Sequence, residues 1–413
     1  MSEPWMKATD FRGAARLATE ATTALTDIVE AMHERIARLP GSTAAFDGRT
    51  TGITGLVYKT VRGVTHVVGG SLDALLGATL MLLPGEPRNG NSERGGPDAR
   101  REAVVAALNG VLGDHLHASH NPLAITLAFR SGGRTLSLEP SALMQRLPGA
   151  GGDVLVLLHG LCMNDLQWQR DGHDHGAALA RDLGFTPVYL HYNSGRHISS
   201  NGRELAGQLQ ALVDAWPCPV RRLVLVGHSM GGLLARSALH FGGQARHGWV
   251  AKVSDLVCLA TPHHGAPLER IGHWVELVLG RAHFAGPLAR LARLRSCGIT
   301  DLRHGFIRDE DWQDGPGAKG RGRQRVALPR GVRCFALAAS TGKHRADLKG
   351  RLIGDGLVPV ASALGKHAKP ELTLQFEPRH QAIEWSTNHF DLLGSPGVLA
   401  QMQRWLQSGR LKK

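Results

Sequence analysis

Residues 221–240, RRLVLVGHSMGGLLARSALH, contain the pattern that decides the fold of this chain. The apolar run Leu223–Val226 precedes GHSMGG at 227–232, and an alanine- and leucine-rich stretch with helical spacing follows it. This order predicts a strand, a sharp turn and a helix, with Ser229 at the apex of the turn. Glycine suits both flanks of the serine, because a Cβ atom there would collide with the neighbouring strand or helix. The stretch is typical of a nucleophile elbow, and the alternative is an incidental glycine turn.

Strands and helices alternate on both sides of this stretch. Continuous apolar strands separated by amphipathic helices indicate an α/β fold, with a mostly parallel central sheet covered by helices on both faces. The two runs Leu123–Phe129 and Arg134–Leu138 predict an antiparallel N-terminal hairpin that extends one edge of the sheet. The other predicted strands are Val154–Leu158, Pro187–Tyr192, Leu223–Val226, Leu256–Ala260 and Arg333–Ala338, and the helices between them include Gly176–Leu183, Arg203–Ala215 and Gly231–Phe241.

Five motifs resemble those of the α/β-hydrolase superfamily, in its bacterial lipase and esterase branch, which is similar to GPI inositol-deacylase-like serine hydrolases. The resemblance covers about residues 120–413. Its motifs are LLHG at 157–160, GHSMGG at 227–232, TPHHGAP at 261–267, GDGLVPV at 354–360 and NHFDLLGSP at 388–396. It implies the α/β-hydrolase fold and a Ser-His-Asp catalytic triad, with no metal and no cofactor.

The first hundred residues differ from the rest and predict a helical N-terminal extension over 1–100, ahead of a catalytic domain over 101–413. Residues 11–39 have the spacing of an amphipathic helix, and residues 86–100, EPRNGNSERGGPDAR, form a charged, glycine-rich linker. Residues 52–83 are the most apolar part of the extension, but their uncharged run at 74–85 is too short to span a bilayer. They either pack as helices over the catalytic domain or lie on a lipid surface.

The alternation of strands and helices breaks at about residues 266–331. Pro267–Leu294 is largely amphipathic and helical, and Arg308–Arg330 is polar. An insertion at this point lies at the carboxyl edge of the sheet, where ligands bind in open α/β folds. It predicts a lid-like cap over an acyl pocket, and the alternative is a surface excursion remote from the substrate.

Ser229 needs a general base, because a serine hydroxyl is a weak nucleophile at neutral pH. In this fold the order along the chain is nucleophile, acid, histidine. His389, in a loop just before the last predicted helix, is the favoured base. His380 also obeys the order, and His367 is a more distant third.

Asp355 is the favoured acid, in the sequence GDG at 354–356, where the flanking glycines allow its carboxylate to turn inward. The acid fixes the tautomer of the base and stabilises its charged form. Asp347 is the reserve candidate, Asp391 breaks the chain order, and the alternative for Asp355 itself is a simple Asp-Gly turn.

Backbone N–H groups must stabilise the oxyanion of the transition state. One is predicted at Met230, the residue after the nucleophile. By resemblance the other belongs to Leu161, in the loop after the strand at 154–158. Four further residues are predicted to line the substrate site: His159, Gly160, His228 and His263.

Two clusters contain residue types that can bind metals, but neither has a recognised metal-ligand spacing. Solvated loops or helix ends are therefore the favoured interpretation of both. The first cluster is Asp171, His173, Asp174 and His175, and the second is His115, His117 and His120.

The composition argues against several classes of protein. The net charge of +13 comes from scattered arginines without a dense basic block interleaved with aromatics, so nucleic acid is not a predicted partner. Weak attraction to anionic membranes through the N-terminal region is compatible with this charge. The five cysteines are widely spaced and lack a C-x-x-C pair, and the first residues lack the apolar core of a signal peptide. These features predict a cytoplasmic, reduced protein, and no feature specifies an oligomeric state.

The motifs together predict a serine hydrolase that cleaves carboxylic esters through an acyl-enzyme, as lipases and esterases do. The predicted substrate is a small-molecule ester or a lipid. An acyltransferase or a thioesterase on the same fold is the alternative. A non-catalytic binding protein that keeps the fold is a third possibility, since a fold alone does not fix function.

Overall fold

The computed structural model describes residues 7–37, 55–65, 98–267, 270, 296–313, 326–344 and 347–407. The chain divides into two compact units, Met1–Gly95 with Ala118–Ala124, and Gly96–His117 with Ile125–Lys413. Most of the predicted linker and of the apolar segment 52–83 lies outside the described residues. Across the described part of the chain, no helix is both long enough and apolar enough to cross a bilayer.

The smaller unit contains helix α1 (Ala8–Ala37) and helix α2 (55–65). Arg62 of α2 pairs with two carboxylates of α1, at 2.9 Å from Asp27 Oδ1 and 2.5 Å from Glu30 Oε2. Because Arg62 faces α1, the opposite side of α2 faces away from it. That side exposes four large apolar side chains: Leu56, Val57, Val61 and Val64.

The larger unit is built on an eight-stranded sheet in the order β10-β9-β8-β7-β3-β6-β1-β2. The six strands from β10 to β6 are parallel, and β1 and β2 add an antiparallel edge. A separate hairpin is formed by β4 and β5. The strands are β1 (Ala128–Ser131), β2 (Arg134–Thr135), β3 (Asp153–Leu158), β4 (Gln169–Arg170), β5 (His173–Asp174), β6 (Thr186–His191), β7 (Arg222–His228), β8 (Val253–Leu259), β9 (Arg333–Ser340) and β10 (Gln381–Trp385).

Helices follow most of the parallel strands, as the alternation predicts. In the larger unit they are α3 (Ala99–Ala118), α4 (Pro140–Arg146), α5 (His175–Leu183), α6 (Ile198–Ala215), α7 (Met230–Gln244), α8 (Cys297–His304), α9 (Glu310–Gln313), α10 (Leu348–Ile353), α11 (Val360–Ala363) and α12 (Pro396–Gln407). The central strands β3, β7 and β8 are almost entirely buried, which explains the apolar runs at 154–158, 223–226 and 256–259 within them.

Two details of the sheet differ from the sequence prediction. The hairpin strands are shorter than predicted, because residues before Ala128 are held by side chains instead of by a partner strand; the amide of Ile125 donates to Asn109 Oδ1 at 2.9 Å. Strand β10 was not predicted, since QAIEW at 381–385 lacks a long apolar run and all its residues are half-buried. It pairs with β9 at the edge of the sheet and leads to the loop that carries His389.

Only part of the predicted insertion is described, and the helical stretch Pro267–Leu294 lies almost entirely outside the described residues. Residues 296–313 contact helices α6 and α7 of the larger unit. Asp301 accepts from the Ile198 amide at 2.7 Å, and Ser237 donates to the carbonyl of Ile307 at 2.7 Å. This part is therefore fixed against α6 and α7, and the role of the insertion as a lid stays a prediction.

Candidate active site

The predicted turn at Ser229 lies between β7 and α7. Ser229 has φ 54° and ψ −121°, a strained conformation for a residue with a side chain, and its amide donates to the Leu259 carbonyl at 2.8 Å. The flanking glycines are required by space. A Cβ atom at Gly227 would lie 2.3 Å from the Gly232 nitrogen, and one at Gly231 would lie 2.2 Å from the Leu158 carbonyl oxygen. The sharp strand-turn-helix geometry therefore depends on both glycines.

Asp355 and His389 form a buried pair, with His389 Nδ1 2.7 Å from Asp355 Oδ2. The second carboxylate oxygen, Oδ1, accepts from the amides of Leu357 at 3.0 Å and Val358 at 2.8 Å. The His389 amide also donates to the Asp355 carbonyl, at 3.1 Å. Since a carboxylate only accepts, the ring proton of neutral His389 belongs on Nδ1, and Nε2 keeps a lone pair.

Several buried polar atoms of the site have no hydrogen-bond partner among the described residues. Ser229 Oγ and His389 Nε2 are two of them. The structure thus brings Asp355 and His389 into contact but does not join Ser229 to His389. Catalytic hydrogen bonds of this kind are often long in unliganded structures and tighten in the complex with substrate.

His228 connects the nucleophile turn directly to the loop of His389. Its Nε2 lies 3.0 Å from the His389 carbonyl oxygen, and the two rings are 4.7 Å apart. Because a carbonyl can only accept, Nε2 of His228 carries the proton. Burial, followed by the proximity of His389, holds the pKa of His228 well below its usual value, so the ring is neutral. His228, which was predicted to line the substrate site, thus hydrogen-bonds to the main chain of His389.

The loop after β3 carries the predicted oxyanion donor Leu161. Within the described part of the chain the Leu161 amide donates to no protein acceptor, whereas the Cys162 amide donates to Ser194 Oγ at 3.0 Å. Met230 is the first residue of α7, a position whose amide has no acceptor within the helix. A Cβ atom at Gly160 would lie 3.2 Å from Ser229 Cβ, so this loop passes directly over the serine.

His159 is fixed behind this loop. Its ring stacks on Tyr192 at 4.3 Å, and the Tyr192 hydroxyl donates to the His159 carbonyl at 2.8 Å. Complete burial lowers the pKa of His159 to about 3. The ring is therefore neutral and orders the loop. Neither Tyr192 nor Ser194 was singled out from the sequence, since a hydroxyl after a strand carries no distinctive spacing.

His263 is buried among other residues. Its Nδ1 is 3.3 Å from Arg236 Nη1, and its ring lies 5.3 Å from Phe376. The reserve base His380 precedes β10, at the amino end of the parallel strands, where its ring packs on Phe335. The reserve acid Asp347 caps α10 by accepting from the Gly350 amide at 2.8 Å. The two reserve residues thus have structural contacts elsewhere.

The cluster at 171–175 lies at the β4–β5 turn and at the start of α5, so Asp174 and His175 occupy a helix end, one of the two favoured interpretations, but His175 is not solvated. His175 is fully buried, with its Nε2 2.8 Å from the Leu392 carbonyl oxygen and its Nδ1 2.8 Å from His173 Nε2. The reason for the difference is that β4 and β5 fold this segment against the loop after His389. The second cluster lies at the exposed end of α3. No group of three or more potential metal ligands is found among the described residues.

The larger unit also matches a known protein family. Residues 149–316, less than half of the chain, match the family model of the PGAP1-like alpha/beta domain. The chain has the α/β-hydrolase fold. The match agrees with the elbow at Ser229 and with the eight-stranded, mostly parallel sheet, and it confirms the resemblance noted from the motifs.

Solved structures similar to this chain include a lipase, an esterase and a thioesterase. The lipase BlEst2 of Bacillus licheniformis in its mature form is 20% identical, with a TM-score of 0.39 and coverage of 63% of this chain and 92% of that one. A thermophilic esterase from Thermogutta terrifontis is 14% identical, with a TM-score of 0.35 and coverage of 68% and 93%. The RedJ thioesterase of Streptomyces coelicolor is 16% identical, with a TM-score of 0.34 and coverage of 62% and 87%. A comparison with curated protein sequences finds no match.

The neutral buried histidines of the site predict a loss of stability in acid. Burial lowers the pKa of His159 to about 3 and that of His175 to about 4, and it depresses the pKa of His228 as well. In the unfolded chain each would take up a proton near its ordinary pKa of about 6.5. Below about pH 6.5 the unfolded chain therefore binds more protons than the folded protein. The free energy of unfolding falls as the pH is lowered from this value to the pKa of the folded histidine.

Each of these histidines is expected to contribute a loss of about 2 kcal/mol in unfolding free energy between pH 7 and pH 5. Urea unfolding followed by tryptophan fluorescence at the two pH values measures the total pH dependence, to which all titrating groups contribute. His175→Gln is expected to remove one of these increments, because glutamine does not titrate. An equal loss of unfolding free energy between the two pH values in wild type and His175→Gln would contradict the assignment of a neutral His175.

Proposed function

We propose that this protein is a serine hydrolase that cleaves carboxylic esters through an acyl-enzyme. The observation that carries the proposal is the hydrogen bond between Asp355 and His389, which leaves His389 Nε2 without a described partner. The loop of His389 is in turn hydrogen-bonded by His228, the residue directly before Ser229. A strained serine, an oriented imidazole and a buried carboxylate are the three components that activate a serine hydroxyl.

In the proposed reaction Ser229 Oγ attacks the ester carbonyl while His389 Nε2 takes the hydroxyl proton. Asp355 keeps the other ring proton on Nδ1 and stabilises the imidazolium that forms. The amides of Met230 and Leu161 then bind the oxyanion, and the positive end of the α7 dipole adds to this stabilisation. His389 returns its proton to the leaving alcohol, and a water activated by the same base releases the acid.

The substrate class that we propose is an ester with an apolar acyl chain, presented from a lipid surface. Leu161, Cys162 and Met163, beside the oxyanion loop, are apolar and buried, which suits an acyl group better than a charged one. The exposed apolar side of α2 and the net charge of +13 favour peripheral contact with an anionic membrane. A cytoplasmic location is part of the same proposal.

Hydrolysis of p-nitrophenyl esters of increasing chain length, with and without vesicles, tests this proposal. We expect longer acyl chains to be preferred and anionic vesicles, but not neutral ones, to raise the rate. Val57→Asp and Val61→Asp are expected to abolish the vesicle effect and to leave hydrolysis of a soluble short ester unchanged. Thr22→Ala, on an exposed and uncharged residue of α1, serves as the control for surface substitution.

Separate outcomes contradict separate parts of the proposal. If the wild-type protein hydrolyses none of the esters, the proposal that it is an ester hydrolase is contradicted. Activity that is identical with and without anionic vesicles would contradict the lipid surface alone. If added alcohols divert most of the acyl group from water, the protein is an acyltransferase on the same site.

A further inference from the structure

We propose that the hairpin segment, defined as residues 169–175, is a positioning element that holds the loop of His389 in its working geometry. The inference rests on the proposed function, because it assigns the segment a role in orienting the general base. The segment includes β4, β5 and the first residue of α5, and it lies more than two hundred residues from His389 in the sequence.

Two side chains of the hairpin segment, Arg170 and His175, contact the residues that follow His389. Arg170 Nη2 donates to Asp391 Oδ1 at 2.8 Å, and the Arg170 guanidinium lies 5.8 Å from the centre of the Phe390 ring. His175 Nε2 lies 2.8 Å from the Leu392 carbonyl oxygen. Three successive residues after the base are therefore contacted from the same segment.

The tautomers of both histidines follow from these contacts. A carbonyl oxygen only accepts, so His175 carries its proton on Nε2 and offers Nδ1 as an acceptor. Burial lowers the pKa of His175 to about 4, so the ring is neutral at pH 7. His173 Nε2, at 2.8 Å, then donates to that Nδ1. His173 thus fixes the tautomer that His175 needs to hold Leu392.

The rest of the segment makes the contact rigid. Asp174 caps α5 by accepting from the Ala177 amide at 2.8 Å, and it also accepts from the Tyr189 hydroxyl at 2.6 Å. Tyr189 belongs to β6 in the main sheet, so the hairpin segment is tied to the sheet itself. Asp174 is therefore the cap of α5, and the side chain of His175 is left to hydrogen-bond to Leu392 in the loop after His389.

Asp355 and His228 hydrogen-bond to His389 itself, and the hairpin segment contacts the three residues that follow it. The ring must point Nε2 at Ser229 in the transition state, and a displacement of about 1 Å can cost 100-fold in rate. We therefore expect loss of the Leu392 contact to lower kcat more than it raises KM.

The test uses two substitutions of His175 that differ in reach. In His175→Gln the side-chain amide nitrogen can occupy the place of Nε2 and still donate to Leu392. In His175→Asn the amide nitrogen matches Nδ1 and is too short to donate there. With a short p-nitrophenyl ester we expect kcat of His175→Asn to fall by about 10- to 100-fold. We expect His175→Gln to stay within about threefold of wild type, and KM to change little in both.

Two further variants keep the result interpretable. His247→Ala removes a ring nitrogen that lies 3.0 Å from the Ala206 carbonyl, beyond the far end of α7 and roughly 20 Å from Ser229 at 1.5 Å per helical residue. It is expected to lower the melting temperature without changing kcat. Arg170→Gln, at a partly exposed site, tests the segment if His175→Asn fails to fold, and is expected to lower kcat by up to about fivefold.

The outcomes separate this inference from the proposed function. Equal kcat values for wild type, His175→Asn and Arg170→Gln, in a protein that hydrolyses esters, would overturn the positioning role and leave the hydrolase intact. A fall in kcat of the same size in His175→Gln and His175→Asn would also overturn it, because the donor to Leu392 would then be irrelevant. A wild-type protein without esterase activity would overturn the proposed function itself.

Discussion

Ser229→Ala is expected to lower kcat for p-nitrophenyl esters by about 10³-fold or more, as removal of a triad nucleophile does. The substitution deletes the attacking oxygen, while Met230 and Leu161 keep their amides, so a small residual rate above that of water is expected. The measurement is kcat and KM at saturating ester, with the folded fraction checked by circular dichroism.

Ser237→Ala is the matched control for this result. Ser237 is a second buried serine, on the same helix α7, and its hydroxyl donates to the Ile307 carbonyl at 2.7 Å. Its loss is expected to lower stability by about 1 kcal/mol and to leave kcat unchanged. Undiminished turnover in Ser229→Ala would refute the assignment of the nucleophile.

Asp355→Asn is expected to lower kcat by about 10⁴-fold with little change in fold. The asparagine oxygen can replace Oδ1 and accept from the amides of Leu357 and Val358. Its NH2 group then faces His389 Nδ1 and acts as a donor. The ring must accept that bond on Nδ1 and move its proton to Nε2, so it can no longer take a proton from Ser229.

The control for this substitution is Asp347→Asn, which alters the residue that caps α10. We expect it to lower the melting temperature slightly and to leave kcat within about twofold, since it removes only a charge at a helix terminus. Activity of Asp355→Asn within tenfold of wild type would show that Asp355 does not set the tautomer of the base.

The centre of the fold could be predicted from the sequence because its signals are local. The strand, serine turn and helix at 221–240 occur as predicted, and the glycines at 227 and 231 are required by the close approach of backbone atoms. The buried strands β3, β7 and β8 have continuous apolar runs. Edge strands give no such signal, which is why β10, with half-buried residues, was missed.

Contacts between distant parts of the chain could not be predicted in the same way. Asp355 and His389 were selected by their order and by resemblance to a family, and the structure adds their 2.7 Å contact. His175 was interpreted as part of a solvated loop or a helix end; it is at a helix end, but its burial was missed, because an H-x-H spacing does not reveal a carbonyl acceptor 217 residues away. His228 was assigned to the substrate site for a similar reason, since its bond to the His389 main chain is a tertiary contact.

Rapid acid quenching of the protein after mixing with a p-nitrophenyl ester tests the central claim most directly. Intact mass and peptide mapping of the quenched protein measure covalent acyl transfer to the chain. We predict an adduct of one acyl group on the peptide that contains Ser229, formed together with a burst of p-nitrophenol and absent from Ser229→Ala. Steady ester turnover without an adduct, or an adduct on another residue, would contradict the account.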